Sequence, residues 1–231
     1  MTFAEVEAAA GRFREAIRSA LTIEAVSVPR PELPIDELHF VRLVMWCYVY
    51  LVEVVAGPRR HLQGIMRGSD PPTHTKVADA VRLVENLRTY IGHQLAENKR
   101  DEAIRAFVIT WLEANEGEQQ WEARASRLCD LVIEAIDLLT NRWVDLSVAD
   151  PEMAASRMLE TIERNWPAHV FDGMVEGAVA DLNIHSFDAA AYRKLHLDRW
   201  VKLAGCFSDR SQAELELRNA IRSELSATFG R

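Results

Sequence analysis

His39-Phe40-Val41-Arg42-Leu43-Val44-Met45-Trp46-Cys47-Tyr48-Val49-Tyr50-Leu51-Val52-Glu53-Val54-Val55-Ala56 is the stretch that decides the fold. Its apolar side chains fall on every side of a helix rather than on one stripe, which is the pattern of a helix in the middle of a bundle. A helix is predicted over 36–56, ended by Gly57-Pro58. Glu53 interrupts the longest apolar run, 43–56, which is too short to span a bilayer.

The rest of the chain reads as helix in both directions. Alanine, leucine, glutamate and arginine dominate, and ten glycines and eight prolines in 231 residues are too few for a turn-rich β protein. Thr2 with Glu5 forms a capping box before an amphipathic helix reaching about residue 26, followed by a stiff connector, Val28-Pro29-Arg30-Pro31-Glu32-Leu33-Pro34. Downstream, 57–76 reads as a basic loop with one short helix, punctuated by Gly64, Gly68 and Pro71-Pro72. Further helices are expected at 74–91, 101–115, 118–141, 151–165, 168–181, 188–205 and 211–227. The fold class is all-α. The expected organisation is an N-terminal helix and Pro-rich connector (1–35), a helical bundle (36–145) and a C-terminal helical extension (146–231), with Asp150-Pro151 restarting the chain.

Charge and cysteine usage narrow the function. A net charge of −8 argues against a protein that coats nucleic acid non-specifically, though a local basic site remains open to it. All but four of the 27 basic residues are arginine, a bias of GC-rich bacterial coding sequences. Cys47, Cys129 and Cys206 are odd in number and far apart, and are expected as reduced, buried thiols in a cytoplasmic protein. No CxxC, HExxH or carboxylate-rich cation loop occurs, so neither a metal nor another cofactor is expected.

The stretch with the most chemistry is Leu87-Arg88-Thr89-Tyr90-Ile91-Gly92-His93-Gln94-Leu95. Arginine followed by histidine at this kind of spacing is no signal by itself, since chance gives roughly two such pairs in a chain of this composition. Two others occur, Arg67 with His74 and Arg164 with His169. Context singles out Arg88: on an ideal helix it falls inside the apolar arc of Val77, Ala80, Val81, Val84 and Ile91. A guanidinium there must pair with a carboxylate such as Glu53, reach a cavity, or snorkel out along its stem. His93 points about 140° away from Arg88 on an ideal helix. Convergence of the two needs irregular backbone at Gly92, or a second subunit that supplies the partner.

At these nine residues the chain resembles the HEPN superfamily, the higher eukaryotes and prokaryotes nucleotide-binding domains, whose active members carry arginine, a polar residue, three further residues and histidine late in a helical bundle. The resemblance covers roughly 36–145. It implies a metal-independent endoribonuclease acting as a homodimer, in the manner of toxins and antiviral effectors, with an antitoxin or defence-system partner. Arg88 would neutralise the scissile phosphate of an RNA substrate, His93 would serve as general acid or base, and Thr89 would orient them. Arg59, Arg60 and Arg67, the basic loop residues, are the candidate RNA contacts. One branch is controlled by modification of a tyrosine two positions after the histidine; Leu95 stands there, so that control is not expected. The competing reading is a non-catalytic helical module that binds a protein partner or a nucleotide.

Overall fold

In the computed structural model the apolar stretch around Trp46 is helical, but it is not one helix. The structure describes residues 2–92, 98–115, 120–163, 166, 168–207 and 209–229. Among these it is all-helical, with ten α-helices, one π-helical segment and no strand. The chain divides into two compact units, Met1–Leu159 and Glu160–Arg231.

Helix α1 spans Phe3–Ile17 and opens with the expected box, in which Glu5 Oε2 accepts from Thr2 N at 2.5 Å. It ends well before residue 26. Thr22, Ile23, Val26 and Val28 are β-branched and run into Pro29 and Pro31, which does not favour helix. Helix α2 spans Glu37–Tyr48 and is capped by Asp36, whose carboxylate accepts from His39 N at 2.9 Å. It passes directly into a π-helical segment, Val49–Val54. At Val55 the path bends by 74° into α3, Ala56–Ser69.

Gly57-Pro58 therefore does not end a helix; it lies in the first turn of the next one. A proline is accepted there because first-turn amides have no intrahelical acceptor to lose. Nor is 57–76 the expected loop: it is helical except at Asp70. Helix α4, Pro71–Gly92, begins on its two prolines, and Asp70 alone separates it from α3. Asp70 Oδ1 accepts from Thr73 N at 3.2 Å, and its hydrogen bonds from Thr73 hold its pKa below the ordinary carboxylate value.

Helix α5, Lys99–Ala114, is capped by Asn98, which accepts from Arg100 N and Asp101 N. Helix α6, Gln120–Ala149, is the longest element, about 45 Å at 1.5 Å per residue. Around it the first unit is assembled: α1, α2, α3 and α4 pack on α6, and α5 packs on α4. Phe13, Leu43, Leu51, Leu62, Leu87, Leu128 and Trp143 are fully buried in this core. Two polar atoms of its large aromatics find backbone carbonyls on α1. Trp143 Nε1 donates to Ala16 O at 2.7 Å, and Tyr50 Oη donates to Ala10 O at 3.2 Å.

Helix α7 spans Pro151–Glu163. The second unit is built on α8 (Ala168–Asp181), α9 (Ala189–Ala204) and α10 (Arg210–Phe229), close to the expected ranges. Asp188 caps α9 by accepting from Ala191 N, and Asp209 Oδ1 accepts from Gln212 N ahead of α10. Its own core gathers Phe171, Val175, Trp200, Leu217, Ile221 and Leu225, with Phe171 stacked on Trp200 at 5.8 Å. Ion pairs of Arg193 with Asp172 and of Arg199 with Glu224 tie α9 to its two neighbours.

Candidate functional site

The apolar arc on which the Arg88 reading rests is present. Val77, Ala80, Val81, Leu83, Val84 and Leu87 are buried along α4, and Arg88 follows them half-buried in the last turns of the helix. Its guanidinium carbon lies over the ring of Tyr48, 5.1 Å from the centroid. The cation is thus set against an aromatic face of α2, where partial desolvation strengthens the attraction. Glu53, considered as a carboxylate partner, is exposed on the π-helical segment.

Thr89 is half-buried, and its Oγ1 donates to Glu85 O one turn back at 2.8 Å. This common local bond fixes the hydroxyl on its own helix. Gly92 is the final residue of α4 and takes no left-handed conformation, so up to that point the helix is regular. His93, Gln94 and Leu95 lie outside the described residues, as does Arg164 of the Arg164–His169 pair.

The three arginines expected to face RNA are divided. Arg60 and Arg67 are exposed on α3. Arg59 is only 6% exposed; its Nε donates to Leu51 O at 2.8 Å and its Nη1 to Gln63 Oε1 at 2.8 Å. It therefore clamps the bend between the π-helical segment and α3, a structural task that its place in a basic run conceals. Burial lowers its pKa from the ordinary arginine value. Arg67 and His74 end up on successive helices, flanking the Asp70 joint, where Arg142 of α6 donates to Ser69 Oγ at 3.0 Å.

A second arginine, unmarked by any motif, works the same way. Arg124 is 6% exposed, donates through Nε to Leu112 O at 3.2 Å, and lies 5.0 Å over the Trp121 ring. It supplies a donor to the C-terminal carbonyls of α5, which lack helical partners.

Cavities open in the first unit. One, about 420 Å³, lies between α4, α5 and α6, with Leu83, Phe107, Trp111 and Leu131 as its apolar wall. At its edge Lys76 pairs with Glu134 at 2.7 Å. Arg82, on α4, covers the Phe107 ring at 5.0 Å. Another, about 350 Å³, lies between α1, the connector and Trp46 of α2, and is lined by Glu7, Arg14 and Arg30.

The thiols differ from the expectation of three buried cysteines. Cys47 and Cys129 are buried, but Cys206 is exposed near the end of α9. Burial pushes the Cys47 thiol well above its ordinary pKa and raises that of Cys129 to about 12. Among the described residues no group of three or more His, Cys, Asp or Glu side chains is arranged to hold a metal. No single helix among them is long and apolar enough to cross a membrane. No family model, curated protein or solved structure matches the chain.

Proposed function

We propose that the protein is a metal-independent endoribonuclease of HEPN type. The observation that carries this reading is Arg88: a half-buried guanidinium near the end of α4, steadied over Tyr48, five positions before His93. In such an enzyme the RNA 2′-hydroxyl is the nucleophile, so the protein must only move protons and stabilise charge. Arg88, permanently charged, binds the scissile phosphate; His93 transfers the proton, a task to which the imidazole side chain is suited. Thr89 fixes the local geometry. Arg60 and Arg67 provide an exposed basic approach for the strand, whereas Arg59 serves the bend. The products are a 2′,3′-cyclic phosphate and a 5′-hydroxyl.

In this reading the enzyme is a dimeric toxin or phage-defence effector of the bacterial cytoplasm, restrained by a partner protein. The test is cleavage of RNA in EDTA by wild type, Arg88→Ala and His93→Ala. Loss of cleavage in both variants, with cyclic-phosphate ends in the wild-type products, supports the assignment. Equal cleavage by all three refutes it.

A second reading, a non-catalytic helical module for a nucleotide or protein partner, is favoured by the 420 Å³ cleft beside α5. Its volume and aromatic wall suit a small ligand. An RNA-inactive wild type that is stabilised by a nucleotide, with the effect lost in Trp111→Ala, would put this reading first.

A further inference from the structure

Arg14 is the odd side chain of α1. Other charged residues of that helix, Glu5, Arg12 and Glu15, are exposed, whereas Arg14 is half-buried and its Nε is inaccessible to solvent. Among the described residues it makes no hydrogen bond and no ion pair. A buried Nε–H without an acceptor is costly, and an anion placed against this edge of the guanidinium would offset that cost. The surroundings offer room for one. Arg14 lines the cavity of about 350 Å³ between α1, the connector and α2, and Arg30 lines it from the connector. Glu7 pairs with Arg30 at 3.0 Å, which occupies only part of that guanidinium's five donors. Trp46, stacked on Tyr50 at 5.3 Å, gives the cavity a rigid apolar side.

From this geometry we infer that the cavity binds a small ligand through a phosphate group, with Arg14 as the principal contact and Arg30 as the second. Two separate guanidinium forks ask for more acceptor oxygens than one carboxylate has, and a phosphate ester presents three. The Glu7 carboxylate orients Arg30 and limits the net charge of the pocket to about +1, which favours a small ligand over a polyanion. The site is independent of Arg88 and holds whether or not the protein cleaves RNA. The volume is at the lower end of ordinary ligand sites.

The experiment is calorimetric titration of the full chain, at fixed ionic strength, with inorganic phosphate, methyl phosphate and succinate. Saturable binding of both phosphates is expected, with succinate weaker. Arg14→Met should weaken phosphate binding about tenfold or more, because it removes charge-assisted hydrogen bonds. The same variant should keep or raise the melting temperature in phosphate-free buffer, since it removes an uncompensated cation. Arg30→Gln, at a side chain 73% exposed, should weaken binding several-fold without unfolding the protein. The inference is overturned by absent phosphate binding in the wild type, by succinate binding as tightly, or by unchanged affinity in Arg30→Gln and in any folded Arg14→Met protein.

Discussion

At the scale of single residues, what an arginine does here depends on which acceptor lies within its reach. Arg59 and Arg124 are buried because helix ends leave carbonyls to be satisfied, at Leu51 and Leu112. In the sequence both look like ordinary surface charge, since nothing local announces the carbonyl that the fold brings to them. Arg88 was legible because it breaks an apolar periodicity; its aromatic partner Tyr48, 40 positions earlier, was not. If Arg88 acts on RNA, Tyr48 positions it. Tyr48→Leu should then lower kcat by roughly 2- to 30-fold, the range of a partly desolvated cation–π contact, while Tyr48→Phe retains activity. The cysteines offer a simpler check. A disulfide exchange reagent should titrate Cys206 quickly in the native protein, and Cys47 and Cys129 only after denaturant is added. Rapid modification of all three thiols would contradict the described packing.

At the scale of the element, a proline marks a helix start as readily as a helix end. Pro58 reads locally as a helix end and Pro71-Pro72 as loop punctuation, yet each stands in a first turn, where the same restricted φ and missing amide are harmless. The caps at Asp36, Asn98, Asp188 and Asp209 show the opposite case, in which one side chain and its following amides suffice to locate a helix start. The change of helix type at Val49 has no signature in a run of apolar residues, because any of them fits either helix. It is held from outside, by Arg59. Arg59→Ala should therefore destabilise the protein by about 1–3 kcal/mol, the cost of leaving a buried carbonyl unsatisfied. Denaturant unfolding measures this, and faster amide exchange confined to 49–62 would locate it. His61 lies on α3 nearby, and burial holds its pKa below the ordinary 6.5. Between that lowered pKa and 6.5 the unfolded chain binds the extra proton. His61 thus contributes stability that is present above pH 6.5 and lost as the pH falls through its folded pKa. The melting temperature should drop from pH 7 to pH 5, and drop less in His61→Gln; an identical profile for the two would exclude the effect.

At the scale of the molecule, the all-α class was readable from composition and periodicity, whereas the grouping of the helices was not. Helical faces advertise that they are buried without naming the face they meet. Thus nothing local in α1 or α6 indicated that residues 3–17 belong with 120–149. Each unit has two buried tryptophans and its own apolar core, Trp143 and Trp200 being the most deeply buried. Trp143→Ala should cost about 3–5 kcal/mol. Its effect on amide exchange should be concentrated in residues 1–159, and that of Trp200→Ala in α8, α9 and α10. Equal loosening of both units by either variant would show that they unfold as one.

The pairing of α1 with α6 also has a consequence for synthesis. Phe3–Ile17 leaves the ribosome early, but the helix that covers its apolar face, and the indole that bonds Ala16 O, are translated more than a hundred codons later. At about 5–20 residues per second, that delay is on the order of ten seconds. During it the first helix lacks its main native cover, with only the Trp46 and Tyr50 region of its native partners made, and the nascent chain is exposed to chaperones and aggregation until α6 emerges.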